Sequence, residues 1–274
     1  LRRDRGRTRG AVSATDELDA AADAVRAGGL AVYPTETVYG LGTDALDPDA
    51  IERAYEAKGR ERDKPMSLGV PSVDVAVDYV RAGECERAFM REFLPGPVTV
   101  VCEKRERVPD ALTGGEPTAG VRVPDHEVAR ALLERIAPVT ATSANPSGTP
   151  SVRRVADLDP AFVDAMDAVL DGGETGGVES TVVDVRRGEV LRRGSEADAV
   201  EAWLAGLVRE NRVTIAVVFP AVGAVLLVFS AAGRLPGPLS FNPLLVVFGT
   251  LVMRLPLIAG LLPVVDRRAL VGFA

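Results

Sequence analysis

The chain has 274 residues, room for one large domain or two modest ones, and its 47% hydrophobic and 26% charged content excludes wholesale disorder. Two cysteines, Cys85 and Cys102, exclude a disulfide framework or a four-cysteine zinc site, and the single histidine, His126, argues against a multi-histidine metal centre or a Ser-His-Asp hydrolase. The net charge of −7 hides three parts: residues 1–10 and 207–274 each carry +4, which leaves −15 on residues 11–206.

Residues 1–10 hold five Arg and read as a disordered basic arm, solvated or touching nucleic acid. The lack of a Met start and of an apolar signal core speaks against a secretory signal and for a processed or misassigned start. The body, 11–206, alternates helix and strand. Thr15 or Asp16 is expected to cap a helix through Ala27, which Gly28-Gly29 ends. A buried strand follows at 30–34. Asp47-Pro48 opens a second helix that Gly59 closes. Strands are predicted at 66–70, 98–103, 119–123 and 139–142, with helical stretches from Ser72, from Glu84 and over 125–136. The loop SANPSGTPS (143–151) follows the 139–142 strand. A short strand at 168–170 enters a glycine-rich loop, 181–185 and 189–193 form a hairpin, and a helix over 196–206 ends the body. This pattern predicts an α/β domain with a mixed sheet.

The tail changes character. Residues 213–233 carry no charge, about the ~20 residues that cross a bilayer, and 239–265 are apolar except for Arg254. Two membrane spans, a buried helical hairpin and a misjoined reading frame all fit this apolar helical segment.

Four polar stretches sit at strand ends or in loops, where α/β sheets present ligand contacts. The first, YPTETVYGLG (33–42), joins small hydroxyls to close-approach glycines. The second, KGRERDKP (58–65), places Lys58, Arg60, Arg62 and Lys64 in seven residues of an acidic body whose only other lysine is Lys104. Helix capping accounts for Lys58 alone, whereas a polyanion such as a triphosphate accounts for the cluster. In the third, TAGVRVP (118–124), Arg122 lies mid-strand and needs an anion, either a substrate carboxylate or an internal acid. The fourth comprises TSANPSGTPS (142–151) and GVESTVVDV (177–185), which offer uncharged hydrogen bonds. His126 reads as a surface residue in a first helical turn.

Taken together, YPTETVYGLG, KGRxxxKP, PGPVTVV, VRVPDH, SAN, GVESTVVDV and VLRRG resemble the YrdC-like family, the L-threonylcarbamoyl-AMP synthases, over about residues 13–206. The resemblance implies a twisted mixed sheet with surrounding helices and a concave cationic groove. It implies that L-threonine, bicarbonate or CO2, and ATP give threonylcarbamoyl-AMP and pyrophosphate. The K-x-R and S-x-N set falls on Lys58, Arg60, Ser143 and Asn145 as catalytic residues. Thr35, Arg122, Ala141 and Ser180 are expected on L-threonine. Arg60, Lys64, Thr118, Ser143, Ser151 and Arg193 are expected on ATP. Mg2+ arrives with ATP, and no tightly held protein-ligated metal is expected. The product is expected to pass to a separate archaeal tRNA threonylcarbamoyltransferase complex, with weak tRNA contact. An RNA-binding or regulatory module of the same fold is the alternative. Gly69 stands near where some relatives place a His, which leaves one threonine contact open. The tail resembles the start of a membrane carotenoid hydratase. With the acidic, lysine-poor body, which suits high salt, it points to a haloarchaeal, cytoplasmic protein whose tail contacts the membrane.

Overall fold

The computed structural model describes residues 13–213. It divides into two compact units. The first runs to Val183 and includes Leu191–Glu196; the second comprises Asp184–Val190 and the chain from Ala197. The basic arm expected at 1–10 and the two apolar stretches expected at 213–233 and 239–265 lie outside the described residues, apart from Val213 at a helix end. Among the described residues no helix is long and apolar enough to cross a membrane.

The first unit opens with α1 (Ala14–Arg26). Its cap is Ser13 rather than the expected Thr15 or Asp16: Ser13 Oγ accepts from Asp16 N at 3.2 Å, and Asp16 Oδ2 accepts from Ser13 N at 3.3 Å. Asp16 is thus the third helical residue, the reciprocal half of a capping box. β1 (Ala31–Tyr33) and β2 (Gly40–Gly42) lead to α2 (Pro48–Lys58). There Asp47 caps, Pro48 begins the helix and Gly59 takes the left-handed φ of 57° that ends it. Next come β3 (Ser67–Gly69), α3 (Val73–Ala76), β4 (Val80–Arg81), α4 (Glu84–Phe93), β5 (Val98–Lys104) and α5 (Asp110–Thr113). β6 (Thr118–Arg122), α6 (Glu127–Ile136), β7 (Val139–Ser143), a 3₁₀ turn at Val155–Asp157, α7 (Pro160–Asp164) and β8 (Ala168–Val169) follow. β9 (Thr181–Asp184) and β10 (Glu189–Arg192) form where a hairpin is predicted.

The sheet of the first unit has the order β9-β5-β6-β3-β7-β2-β1-β8, with β4 on β5. It is mixed: β3–β6 and β5–β9 are parallel, while β5–β6 and β3–β7 are antiparallel. α1 and α6 cover one part of it. Ala21, Ala22 and Val25 meet Leu132 and Leu133 over Ala31, Tyr33 and Val139. This follows from the three- and four-residue spacing of their apolar positions.

Sequence reading misses β2. GLG lacks the β-branched signature of a strand, yet it lies between β1 and β7, with Leu41 opposite both Val32 and Thr142. Its glycines are required by packing. A Cβ on Gly40 would stand 2.9 Å from Tyr33 Cζ, and one on Gly42 would stand 3.0 Å from Tyr33 Cε1. In the second unit, α8 (Ala197–Val213) runs past the helix end expected at 206.

Candidate active site

Strand alternation builds the site. On β6, Ala119 and Val121 are buried in the core, while Thr118, Gly120 and Arg122 line a cavity of about 660 Å³. On β5, Val98, Val100 and Cys102 point to the core and Thr99 and Val101 to the cavity. Ser67, Ala141, Ser143, Ser180 and Val182 continue the same surface. One face of a sheet thus becomes a polar floor, of a size suited to a small ligand.

Lys58 ends α2 and turns into this cavity, 2% exposed. Its ammonium donates to the carbonyl of Ser143 and, at 2.7 Å, to that of Asn145; its own carbonyl accepts from Ser147 N at 2.7 Å. One residue therefore fastens the 143–147 stretch at three points, two of them on S-x-N. Burial, aided by the nearby Arg60, lowers the Lys58 pKa to about 8, and Glu179 opposes the fall. Asn145 Nδ2 donates to Thr149 O at 2.6 Å, while its buried Oδ1 has no partner among the described residues.

The four cations of 58–65 do not act alike. Arg60 donates to the carbonyls of Lys64 (2.9 Å) and Pro65 (3.0 Å) and lines the cavity. Lys64 also lines it and pairs with Glu61 at 2.8 Å. Arg62 pairs with Glu52 at the surface and is outside the lining.

The TET turn faces Arg122. Thr35 Oγ1 donates to Val38 O at 2.6 Å and shares a hydrogen bond of 2.8 Å with Thr37 Oγ1. Arg122 donates to the carbonyls of Gly96 and, at 3.2 Å, Val98. It also pairs with Glu36 at 2.6 Å, the two side chains being 7% and 18% exposed. Of the two anions open to Arg122 from the sequence, the structure supplies the internal acid. Desolvation lowers the Arg122 pKa, and Glu36 resists that. His126 is the N-cap residue of α6 and half-buried, rather than a surface residue of the first turn; burial lowers its pKa. It is outside the cavity lining.

A second guanidinium, Arg192, lies across Ser180 and Glu179. It donates to Ser180 O at 3.0 Å and Ser180 Oγ at 3.1 Å, and pairs with Glu179 at 2.9 Å. Ser180 Oγ lies 2.9 Å from Thr99 Oγ1.

Ten of the twelve residues assigned from sequence line the one cavity: Thr35, Lys58, Arg60, Lys64, Thr118, Arg122, Ala141, Ser143, Asn145 and Ser180. Ser151 and Arg193 are not in that lining. Ser151 lines a neighbouring depression and donates to Glu179 Oε1 at 2.5 Å; at the β10 end the cavity is lined by Arg192. Sequence reasoning missed Thr37, Thr99, Glu179 and Arg192. Strand alternation from Arg122 across to β5 could have found Thr99; nothing in the sequence ranks Arg192 above Arg193.

A mixed α/β unit that gathers buried cations and hydroxyls around one sheet-floored cavity defines a small-molecule-binding domain. Residues 23–194 match the Sua5–YciO–YrdC family, described as telomere recombination, and the chain belongs to that family. It is 44% identical over 168 residues to a threonylcarbamoyl-AMP synthase of Pyrococcus abyssi, covering 60% of this chain and 49% of that one. It is 39% identical over 184 residues to a threonylcarbamoyl-AMP synthase of Xanthomonas axonopodis pv. citri, covering 65% and 98%. The chain thus spans about half the length of the first relative and nearly all of the second. Its fold is similar to P. abyssi Sua5 solved with L-threonine, with a TM-score of 0.64 and 39% identity over 69% of this chain and 58% of that one.

Proposed function

We propose that the chain is an L-threonylcarbamoyladenylate synthase that uses L-threonine, bicarbonate or CO2, and ATP. The observation that carries this reading is the convergence of Lys58, Arg60, Lys64 and Arg122 with the hydroxyls of Thr35, Ser143 and Ser180 on one cavity. The relatives' activity and the threonine found in P. abyssi Sua5 agree with it.

In this reading Thr35, Arg122 and Ser180 hold threonine, with Arg122 on its carboxylate alongside its pair with Glu36 and with the backbone at Ala141 nearby. The amine attacks CO2 and releases a proton, or attacks bicarbonate and releases water; either gives a carbamate. A carbamate oxygen then attacks the ATP α-phosphorus, and the bond to the bridging oxygen breaks to free pyrophosphate. Arg60, Lys64, Thr118, Ser143, Ser151 and Arg193 are proposed on ATP, joined by Arg192, the arginine that lines the cavity at the β10 end, and Mg2+ enters as part of that substrate. Lys58 fixes the S-x-N segment and leaves one N–H for the reacting phosphate. Catalysis is then positioning and charge stabilisation, with no covalent enzyme intermediate. The product passes to a separate tRNA threonylcarbamoyltransferase complex in the cytoplasm, and the acidic body suits high salt.

The test is pyrophosphate release by the purified full chain. Release that needs both threonine and bicarbonate supports the proposal. Release that ignores threonine, or ATP binding without release, overturns it; the latter leaves the non-catalytic module.

A further inference from the structure

Arg192 is the most solvent-accessible guanidinium that lines the cavity floor region, and it is already engaged. Glu179 takes it at 2.9 Å through Oε2, while Ser151 Oγ donates to the other carboxylate oxygen at 2.5 Å. The two charged side chains are 49% and 39% exposed, so water reaches both. Glu179 lines the cavity itself, together with Lys58, Arg60 and Arg192. Its negative charge raises the proton affinity of both Lys58 and Arg60, so all three cations feel this one carboxylate. The lining also includes Asp63 and Glu116, but neither is among the charges that act on Lys58 or Arg60.

A carboxylate held by a serine hydroxyl and a guanidinium presents two oxygens to the same donors that a phosphate would use. Both anions cannot take those donors together. Like charges brought within a few ångströms repel, so an entering phosphate chain either displaces Glu179 or fails to engage Arg192. The exchange is feasible because the pair is half exposed: an ion pair in contact with water contributes only about 0–1 kcal/mol.

Resting on the phosphate reading of the cavity, we propose that Glu179 is a built-in competitor for the polyanion, which holds the Arg192 guanidinium and Ser151 and must release them before a phosphate chain can bind there. The consequence is selective. A single weak phosphate gains too little from Arg192 to displace the carboxylate, whereas a longer chain also reaches Lys58, Arg60 and Lys64. Glu179 therefore weakens inorganic phosphate in proportion more than ATP, and it favours departure of pyrophosphate after the reaction.

The test uses the full chain, with Glu179→Gln and Glu179→Ala compared with wild type. Binding of magnesium-free pyrophosphate and of inorganic phosphate is measured by calorimetry. The carboxamide removes the charge and keeps the shape, so pyrophosphate should bind roughly two- to fivefold more tightly, the scale of a lost exposed ion pair. Inorganic phosphate should gain at least as much. Unchanged or weaker binding of both in the variants, with wild type binding normally, overturns the proposal and makes Glu179 a support for Arg192. A second readout does not depend on any ligand. The chain has three lysines, so ¹³Cε labelling resolves Lys58, whose titration near pH 8 should move to lower pH in Glu179→Gln. If wild type binds neither ATP nor pyrophosphate, the phosphate reading fails. The competitor role falls with it, whereas binding by wild type without tightening in the variants overturns the competitor role alone. No shift of the Lys58 titration in Glu179→Gln also counts against the proposal, because Glu179 would then not act on these cations.

Discussion

Arg122 and Arg192 line the same cavity, and each is paired with a glutamate, yet the two pairs sit in different media. Arg122 and Glu36 are 7% and 18% exposed, and the guanidinium is also fixed by the carbonyls of Gly96 and Val98. Arg192 and Glu179 are 49% and 39% exposed. The first pair keeps little of its water, and each charge is tolerated there because the other stands beside it. The second keeps much of its hydration and is free to exchange partners. The same two residue types therefore give a permanent fixture at one place and an exchangeable contact at the other. Burial sets the difference: each arginine is the last residue of its strand, but β6 lies between β5 and β3 and is largely buried, whereas β10 is mostly exposed along its length.

The strongest way to break this comparison is to remove one arginine at a time. Arg122→Met leaves the Glu36 carboxylate, only 18% exposed, without its cation. Loss of one partner from a buried pair typically costs about 3–5 kcal/mol, so chemical denaturation should show a deficit of that order. Glu36→Gln should recover part of the loss when combined with Arg122→Met, because the double variant buries no lone charge. If Arg122→Met unfolds as wild type does, the pair is not the fixture described. The milder Arg122→Lys should raise the threonine KM more than the ATP KM; equal rises for both would count against its assignment to the amino acid.

Lys58 lies between these extremes, fully buried but paired only with carbonyls. Lys58→Met should lower kcat of pyrophosphate release by the equivalent of ~2–4 kcal/mol, the usual size for a deleted electrostatic contact in a reacting site. It has a pH signature as well. The folded pKa is about 8, below the ordinary 10.5, so between those values the unfolded chain still holds a proton that the folded chain has released. Stability therefore rises with pH across that window and falls as pH drops through about 8. The slope attributable to this residue should vanish in Lys58→Met. A wild-type slope that persists unchanged in the variant removes Lys58 as its source.

At the exposed pair the effect on folding is small. Arg192→Ala should cost less than about 1 kcal/mol of stability, in keeping with half-exposed ion pairs. Its effect belongs in binding: the ATP KM should rise severalfold and become less sensitive to salt, with the threonine KM nearly unchanged. A stability loss as large as that of Arg122→Met would erase the contrast between the two guanidinium sites.

The contrast itself was only half legible in the sequence. A lone arginine in the apolar strand AGVRV has to point somewhere costly, which is why Arg122 stands out without a structure. Asp47, Pro48 and Gly59 likewise fix α2, and with it the entry of Lys58. By contrast, Arg192 and Arg193 are adjacent and chemically identical, and only the strand's local register decides which side chain reaches the cavity. Glu179 is one carboxylate in a glycine-rich loop of an acidic chain, and its importance comes from Ser151, twenty-eight positions away. β2 was hidden for another reason: its glycines carry no strand signal, and what makes them necessary is the ring of Tyr33 lying over them.

The smallest expected effect concerns the cation that the sequence grouped with the others. Within KGRERDKP, spacing alone gives Arg62 the same claim on a polyanion as Lys58, Arg60 and Lys64. In the structure it leaves that group: both side chains of its pair with Glu52 are about half exposed, and Arg62 is absent from the cavity lining. The pair lowers the Glu52 pKa and raises that of Arg62, each through their direct hydrogen bond, but both groups remain in water, where such contacts add little. Arg62→Ala should therefore leave the ATP KM, the threonine KM and the denaturation midpoint within error of wild type, while Arg60→Ala, three ångströms from the carbonyls of Lys64 and Pro65, should raise the ATP KM. A clear rise in the ATP KM for Arg62→Ala would mean that the whole 58–65 segment turns toward the triphosphate on binding, and that exposure in the free protein does not sort its cations.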